Sequence, residues 1–279
     1  MARGSLNLAY SPCPNDTYIF AAWSHDMLPG APPVRVHLED IQNLNNSAFK
    51  GDYELTKVSY GAIPLLMEDY RILRSGGALG RGCGPLVVAR PGTDGSLDAF
   101  ADKVIAVPGE MTTAFMLLRL ATGTRPQTLA LRFDNIVDAV SRGAVDAGLI
   151  IHESRFTYQD AGLVCVCDLG SWWESQTGMP IPLGAILVRK DIEDERARTI
   201  DRTIRASLQY ARDNEQRVMP HVRAHATEMS EAVMRKHIDL YVNEFTQDVG
   251  DQGIAAVHEL FRRAHEAGIL PEATEPVFV

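Results

Sequence analysis

The sequence lacks long hydrophobic runs and an excess of positive charge. No apolar stretch approaches the roughly 20 residues that a transmembrane helix needs, and the first thirty residues lack a basic segment followed by an apolar one, so neither a membrane span nor a signal peptide is expected. The formal net charge of −9 argues against a nucleic acid or an anionic membrane as partner, because phosphate binding requires a basic face. A small anionic ligand needs only a local positive site.

Cysteine is also scarce. The four cysteines, at positions 13, 83, 165 and 167, include no Cys-x-x-Cys pair and no zinc-binding spacing, so we predict no metal site. The Cys-x-Cys at 165 and 167 is better explained by buried packing on one face of a strand. Without a signal peptide, reduced thiols in a cytoplasmic protein are the default expectation.

The chain of 279 residues has 46% apolar and 23% charged residues, which is ordinary for a globular protein with one large or two medium domains. Short apolar runs alternate with helical patterns over the first two thirds, which predicts an α/β fold. The predicted strands are 6–10, 34–38, 55–58, 70–73, 85–90, 104–107, 128–133, 149–151, 163–167 and 184–190. The last third of the chain, after residue 190, is predicted to be helical over 191–217, 230–245 and 253–265.

Two strands of similar pattern, 85–90 and 184–190, separate the two clusters of strands and helices. We therefore predict two lobes, with residues 1–88 and 188–279 forming the larger and 89–187 the smaller. The cleft would lie between the lobes, and the two similar strands would be crossover strands that act as hinges. An exposed apolar patch on the helical tail would support a homodimer, although these helices can equally all face the core.

The same local arrangement occurs four times: a strand, then a hydroxyl, amide or imidazole side chain, then the start of a helix. We expect Asn15 or Asp16 to cap the first such helix, Ser59 the second, and Thr112 or Thr113 the third. Ser11 lies in the first of these segments. Helix N-termini offer unpaired N–H groups and a positive dipole end, so together these segments would hold a carboxylate or polyhydroxy compound. Taken singly, each hydroxyl is more simply a cap.

His152 follows the apolar run 149–151, at the strand end where ligands bind in open α/β sheets. An imidazole there can accept or donate a proton near neutral pH. The alternative is a histidine with a structural hydrogen bond. His221 and His225 would share a helix face, but without an HExxH pattern they do not indicate zinc.

A glycine cluster at 76–84 does not match a phosphate-binding loop, because no Lys-Ser or Lys-Thr closes it. We interpret it as a loop of close backbone approach or a flexible lip, with direct ligand contact as the alternative.

Several motifs in the same order closely resemble the 1,4-dihydroxy-6-naphthoate synthases of the futalosine route to menaquinone. The likeness runs nearly end to end. Its motifs are Ser11-Pro12-Cys13-Pro14-Asn15-Asp16-Thr17, Lys57-Val58-Ser59-Tyr60, Gly76-Gly77-Ala78-Leu79-Gly80-Arg81-Gly82, Ile151-His152-Glu153-Ser154-Arg155-Phe156-Thr157-Tyr158, Pro182-Leu183-Gly184-Ala185-Ile186 and Pro276-Val277-Phe278-Val279.

The resemblance implies a type II periplasmic-binding-protein-like fold used as an intracellular enzyme. It implies conversion of cyclic dehypoxanthinyl futalosine to 1,4-dihydroxy-6-naphthoate with release of dihydroxyacetone, chemistry that needs proton transfer but no metal or redox cofactor. His152 would be the base, and Lys57, Val58, Ser59, Thr112 and Thr113 would line the substrate site.

As a hypothesis, Glu153 or a backbone carbonyl would fix the tautomer of His152. The main alternative is a cytoplasmic small-anion binding or sensor module on the same scaffold, since a fold alone does not determine function.

Overall fold

The computed structural model describes residues 4–93, 95–226, 230–270 and 275–279. Its strands are β1 (Leu6–Tyr10), β2 (Val34–Leu38), β3 (Leu55–Ser59), β4 (Tyr70–Ile72), β5 (Ala78–Gly80), β6 (Leu86–Ala89), β7 (Val104–Val107), β8 (Gln127–Ala130), β9 (Ala147–Ile150), β10 (Val164–Asp168) and β11 (Ile181–Arg189). Its helices are α1 (Pro14–Ser24), α2 (Ile41–Lys50), α3 (Thr113–Thr122), α4 (Ile136–Ser141), α5 (Ser154–Thr157), α6 (Leu169–Thr177), α7 (Asp194–Asp213), α8 (Glu215–His225), α9 (Glu231–Tyr241), α10 (Glu244–Gln247) and α11 (Gly250–Glu266).

The strands form two separate sheets, which confirms the predicted two-part α/β fold. The first has the order β2-β1-β3-β11-β4, with β5 paired to β11, and the second has the order β10-β6-β9-β7-β8. In the first sheet β1 pairs in parallel with both β2 and β3, while β11 is antiparallel to β3. In the second sheet β7 is parallel to β8 and β9. The parallel strands direct their carboxyl ends, and the segments that follow them, toward one edge of each sheet.

The two predicted crossover strands each belong to one sheet only. Strand β6 lies wholly in the second sheet and β11 wholly in the first, so the chain crosses between the sheets just before each strand. The crossings fall near residues 81–85 and 178–180. The lobe boundaries at 88/89 and 187/188 stay a prediction, and sheet membership favours positions a few residues earlier in the chain.

Helix α1 lies in the hydrophobic core that packs against the first sheet. Every residue from Pro14 to Trp23 is buried, and the helix packs against α7 and α8. A helix that is apolar around most of its circumference must be enclosed by protein, and α7 and α8 supply that enclosure. The polar residues in the first turn of α1 are therefore carried into the interior.

The helix predicted after Ser59 is wrong. Ser59 ends β3, and only a short 3₁₀ turn at Ile63–Leu65 follows. The Gly61 N–H, which a Ser59 cap would accept, is donated to the Thr113 hydroxyl instead, 3.1 Å away.

The described part of the helical tail shows no exposed apolar patch. The large apolar side chains that are exposed within the described residues are Phe49, Leu65, Leu129, Val164 and Val277, none of them on α7–α11. The tail helices thus face the core, and the basis offered for a dimer through them is missing. No helix in the described ranges is long and apolar enough to cross a membrane.

The interpretation of Cys165 as buried is also wrong, since its side chain is exposed. Strand β10 has an irregular register between Cys165 and Cys167, which breaks the regular alternation of faces along the strand.

The glycine cluster includes a close approach of two backbone segments. A Cβ added at Gly84 would lie 2.3 Å from the backbone N and Cα of Gly170, at the start of α6. Gly80 likewise faces the Asn243 side chain, 2.7 Å from an added Cβ. The cluster therefore contains positions where backbone and side chains from other segments leave no room for a side chain.

Replacing Gly84 by alanine should lower the free energy of unfolding by about 1–3 kcal/mol, because either backbone must move to admit the methyl group. Urea unfolding measures this change. Gly95→Ala is the control: an added Cβ at this position meets nothing within 4 Å, and we expect a change within about 0.5 kcal/mol. Equal stabilities for Gly84→Ala and the parent chain would contradict the close approach.

Candidate functional site

A cavity lies between the two sheets, at the edge where β1, β3 and β9 end. Its walls come from these strand ends, from the first turns of α1 and α3, from β11 and from α9. The predicted site residues that line it are Ser11, Asn15, Asp16, Lys57, Ser59, Thr112, Thr113 and His152. Segments that are far apart in the sequence thus meet in one space.

A buried ion pair lies at this cavity. The Lys57 Nζ is 2.7 Å from Asp16 Oδ1, and the two side chains are only 5% and 2% exposed. The ammonium also donates to the Gly76 carbonyl at 3.3 Å. The other Asp16 oxygen accepts from the hydroxyl and the N–H of Ser11, at 2.7 and 3.3 Å. A buried ion pair is tolerated only where further hydrogen bonds satisfy its remaining groups, and this pair has them.

The start of α1 differs from the prediction. Cys13 occupies the N-cap position and makes no side-chain cap bond, so Asn15 and Asp16 lie inside the first turn. The Asn15 amide donates to Asp16 Oδ1 at 3.0 Å. The prolines at 12 and 14 fix the entry of the chain, since proline suits the first turn of a helix. Both polar residues therefore organise the ion pair instead of capping the helix.

The predicted hydroxyls already have partners within the protein. Thr112 caps α3 as expected, accepting from the Phe115 N–H at 3.2 Å. The Thr113 hydroxyl donates to the Leu183 carbonyl at 2.6 Å. The Ser59 hydroxyl accepts from the Asn45 amide at 3.2 Å.

Only two of the four predicted helix N-termini are suitable anion sites. Helices α1 and α3 begin at the cavity with 11 and 10 residues, and their first amide groups lack partners within the helix. Helix α5, after His152, has only four residues, and Ser59 is followed by no α-helix. An anion at this site would therefore meet the first turns of α1 and α3.

His152 has a strained backbone. It follows β9 with φ = +58°, in the left-handed region that few residues other than glycine adopt. Strain of this kind costs of order 1–3 kcal/mol and is concentrated at functional sites. The turn directs the imidazole back into the cavity, beside the ring of Phe133 at 4.9 Å between centroids.

The surroundings of His152 keep its imidazole neutral. Burial lowers its pKa to about 4, the Asp16 carboxylate opposes that shift and the Lys57 ammonium adds to it. The Nδ1 atom lies 3.4 Å from the Cys13 sulfur. Burial also raises the pKa of the Cys13 thiol well above its usual value, so Cys13 is a neutral partner. Above about pH 5 the histidine is therefore an unprotonated base.

Two predicted site residues do not line the cavity. Val58 packs into the hydrophobic core beneath β3. Glu153 is mostly enclosed, burial raises the pKa of its carboxyl group, and its Oε2 has no hydrogen-bond partner in the described structure. Among the described residues, Cys13, His152 and Glu153 are the one group of metal-ligating side chains with ligand atoms within 4.8 Å of one another. Such a Cys-His-Glu set could hold zinc, and the prediction that no metal is bound stays untested.

Among the site residues that sequence reasoning missed are Cys13, Asn45, His237 and Tyr241. Cys13 contacts His152, Asn45 holds Ser59, and His237 and Tyr241 line the cavity from α9. The spacing of His237 and Tyr241, four apart on a helix, indicates a shared face. Nothing in the sequence indicates which part of the molecule that face contacts.

The chain is similar to known proteins in both sequence and fold. A family model described as "Menaquinone biosynthesis" matches residues 6–266. The chain is 48% identical to a 1,4-dihydroxy-6-naphthoate synthase of Thermus thermophilus, over 99% of both chains. It is 45% identical to one of Streptomyces coelicolor, over 97% of this chain and 96% of the relative.

Solved structures agree with the fold. A protein of Archaeoglobus fulgidus superposes with a TM-score of 0.87 at 34% identity, covering 95% of this chain and 98% of the other. An alkanesulfonate-binding protein of Xanthomonas axonopodis, solved with MOPS, superposes with a TM-score of 0.75 at 14% identity, covering 98% and 96%. The second likeness shows a periplasmic-binding-protein-like fold and nothing about activity.

The ion pair predicts strong coupling between its two members. Asp16→Asn should lower the free energy of unfolding by about 3–5 kcal/mol, because it leaves a buried ammonium without its counter-charge. Lys57→Met removes that ammonium, so the double variant should lose clearly less than the sum of the two single losses. Urea unfolding of the four chains gives the coupling. Additive losses would show that the pair does not interact as described.

Proposed function

The chain belongs to the menaquinone-biosynthesis family, and we propose that it converts cyclic dehypoxanthinyl futalosine to 1,4-dihydroxy-6-naphthoate and dihydroxyacetone. The observation that carries the proposal is His152, a strained, neutral imidazole at the wall of a cavity between two sheets. The resemblance to named synthases over nearly the whole chain supports the same reaction.

His152 acts as the base that starts the fragmentation. A base works best when it is unprotonated at the working pH and lies within hydrogen-bond reach of the substrate proton. For Nε2 to accept that proton, Nδ1 must carry the ring hydrogen and donate it to the Cys13 sulfur. Cys13, rather than Glu153, then fixes the tautomer.

The substrate binds as a small anion with several oxygens. Its carboxylate lies at the first turns of α1 and α3, where amide N–H groups and helix dipoles favour negative charge. Because Lys57 is already paired with Asp16, the ion pair as a whole adds no net charge. Its ammonium group still supplies a hydrogen-bond donor and a local positive field. The Ser59 hydroxyl donates a hydrogen bond to a substrate oxygen. The hydroxyls of Ser11, Thr112 and Thr113, whose protons go to Asp16 and to the Gly109 and Leu183 carbonyls, accept hydrogen bonds from substrate hydroxyl groups.

Closure of the two lobes excludes water while reactive intermediates exist. The lobes are the two predicted ones, with their boundaries moved from 88/89 and 187/188 to the crossings before β6 and β11, which act as hinges. Location in the cytoplasm, without nucleic-acid or membrane partners, belongs to the same proposal. A homodimer stays a prediction.

The rival function is a sensor that binds a small anion on the same scaffold. A receptor needs hydrogen-bond donors and a closing cleft but no strained, unprotonated imidazole. The wild-type chain and a His152 variant, given the same compound, distinguish the two functions.

His152→Asn should reduce turnover of cyclic dehypoxanthinyl futalosine by at least about 10²-fold, the usual contribution of a general base. Asparagine is the right replacement because it tolerates the left-handed backbone at this position. Absorbance of the naphthoate product measures turnover, and calorimetry measures substrate binding, which the variant should retain.

His265→Asn is the matched control, since His265 is exposed on α11, outside the cavity. It should turn over at the wild-type rate. Equal turnover by His152→Asn and the wild-type chain would refute the role of the base. Binding without turnover by the wild-type chain would favour the sensor.

A further inference from the structure

His237 is a second imidazole at the cavity, contributed by α9. Its side chain is 1% exposed, yet it forms part of the cavity wall. Its ring is nearly parallel to that of His152, with 6.4 Å between centroids and 15° between planes. Tyr241, one turn further along α9, lies 4.6 Å from it by the same measure.

Neither ring nitrogen of His237 has a hydrogen-bond partner within the described structure. A buried polar group without a partner costs about 1–3 kcal/mol, so an apolar residue would fill this position at lower cost. Helix α9 has such residues on its buried face, at Met234 and Ile238. The cost at His237 is offset only if something outside the folded chain pairs with the ring.

The surroundings determine which form of the ring is present. Burial lowers the pKa of His237 well below its usual value, and the positive charges that His152 and Lys57 can carry lower it further. The ring is therefore neutral, with one nitrogen that donates and one that accepts a hydrogen bond. A molecule in the cavity would meet both.

We propose that His237 is a catalytic residue that contacts the substrate, donating its N–H to the oxygen on which negative charge develops as His152 removes the proton. This inference rests on the proposed function. Each hydrogen bond spans about 3 Å, so two imidazoles whose centroids lie 6.4 Å apart can reach a C–H carbon and the oxygen of the carbonyl next to it in one substrate. The proton moves to His152, the C–H electron pair forms a C=C bond to the carbonyl carbon, and the π electrons of the carbonyl move to its oxygen. His237 stabilises the resulting enolate charge without itself becoming charged.

A neutral imidazole suits this role because it polarises an oxygen without adding a charge to the cavity. Donors aimed at developing charge in a closed site contribute about 10²–10³ in kcat each. A donor without a partner in the folded chain is what such a role requires, because the hydrogen bond is then made to the substrate.

The test compares His237→Phe, His237→Met and His237→Gln with the wild-type chain, using cyclic dehypoxanthinyl futalosine as substrate. We expect kcat to fall about 10²–10³-fold in the two apolar variants and to recover to within about 10-fold of wild type in His237→Gln, whose amide donates and accepts. The melting temperature of at least one apolar variant should equal or exceed that of the wild-type chain, because an unpaired polar group is removed.

A structural role predicts the opposite pattern, in which both apolar variants melt lower and His237→Gln recovers no activity. That pattern, or unchanged kcat in a well-folded apolar variant, overturns the inference. His265→Gln, on the exposed part of α11, controls for histidine replacement as such. If the wild-type chain itself gives no product, the proposed function fails; product from the wild-type chain together with unchanged kcat in a well-folded apolar variant overturns this inference alone.

Discussion

The buried ion pair between Lys57 and Asp16 is the constraint on which the site depends. Two unpaired charges could not stay at this depth, because removing either ion from water costs several kcal/mol. The pair therefore fixes the first turn of α1 against β3 and holds Ser11 and Asn15 in place around it. It also makes the floor of the cavity nearly neutral as a whole.

That neutrality matters for the histidines. Asp16 raises and Lys57 lowers the pKa of His152, so the two charges partly oppose each other and burial dominates. The backbone strain at His152 and the unpaired nitrogens of His237 are further costs in the same small volume. Costs of this kind lower stability and are retained where function needs them. Here they give an imidazole that stays unprotonated and a second imidazole that lacks a partner.

Much of the fold follows from short-range pattern. Val104–Val107 is a continuous apolar run, Leu6–Tyr10 is an apolar run interrupted only by Asn7, and both are strands at the predicted positions. Thr112 is a cap because a hydroxyl before a helical pattern satisfies the first free amides. The place of His152 after a strand also followed from local sequence.

The errors have a common origin in contacts between distant segments. The sequence predicts that Ser59 opens a helix, but the Thr113 hydroxyl accepts the N–H of nearby Gly61. The sequence predicts Asn15 or Asp16 as the cap of α1, but Lys57 draws the Asp16 carboxylate into the interior. Cys13 and His237 reach His152 only through the packing of α1 and α9, which no local spacing specifies. Similarity to known chains identified the family without revealing these contacts.

The protonation state of His152 tests the central claim most directly. In histidine-labelled protein, the imidazole signal that disappears in His152→Asn can be followed by NMR between pH 8 and pH 5. Burial should keep this ring neutral over the whole range, since its pKa is about 4, and the signal should not titrate. A midpoint near 6.5, the value of a solvated histidine, would show that the ring is not enclosed as described and would contradict the account.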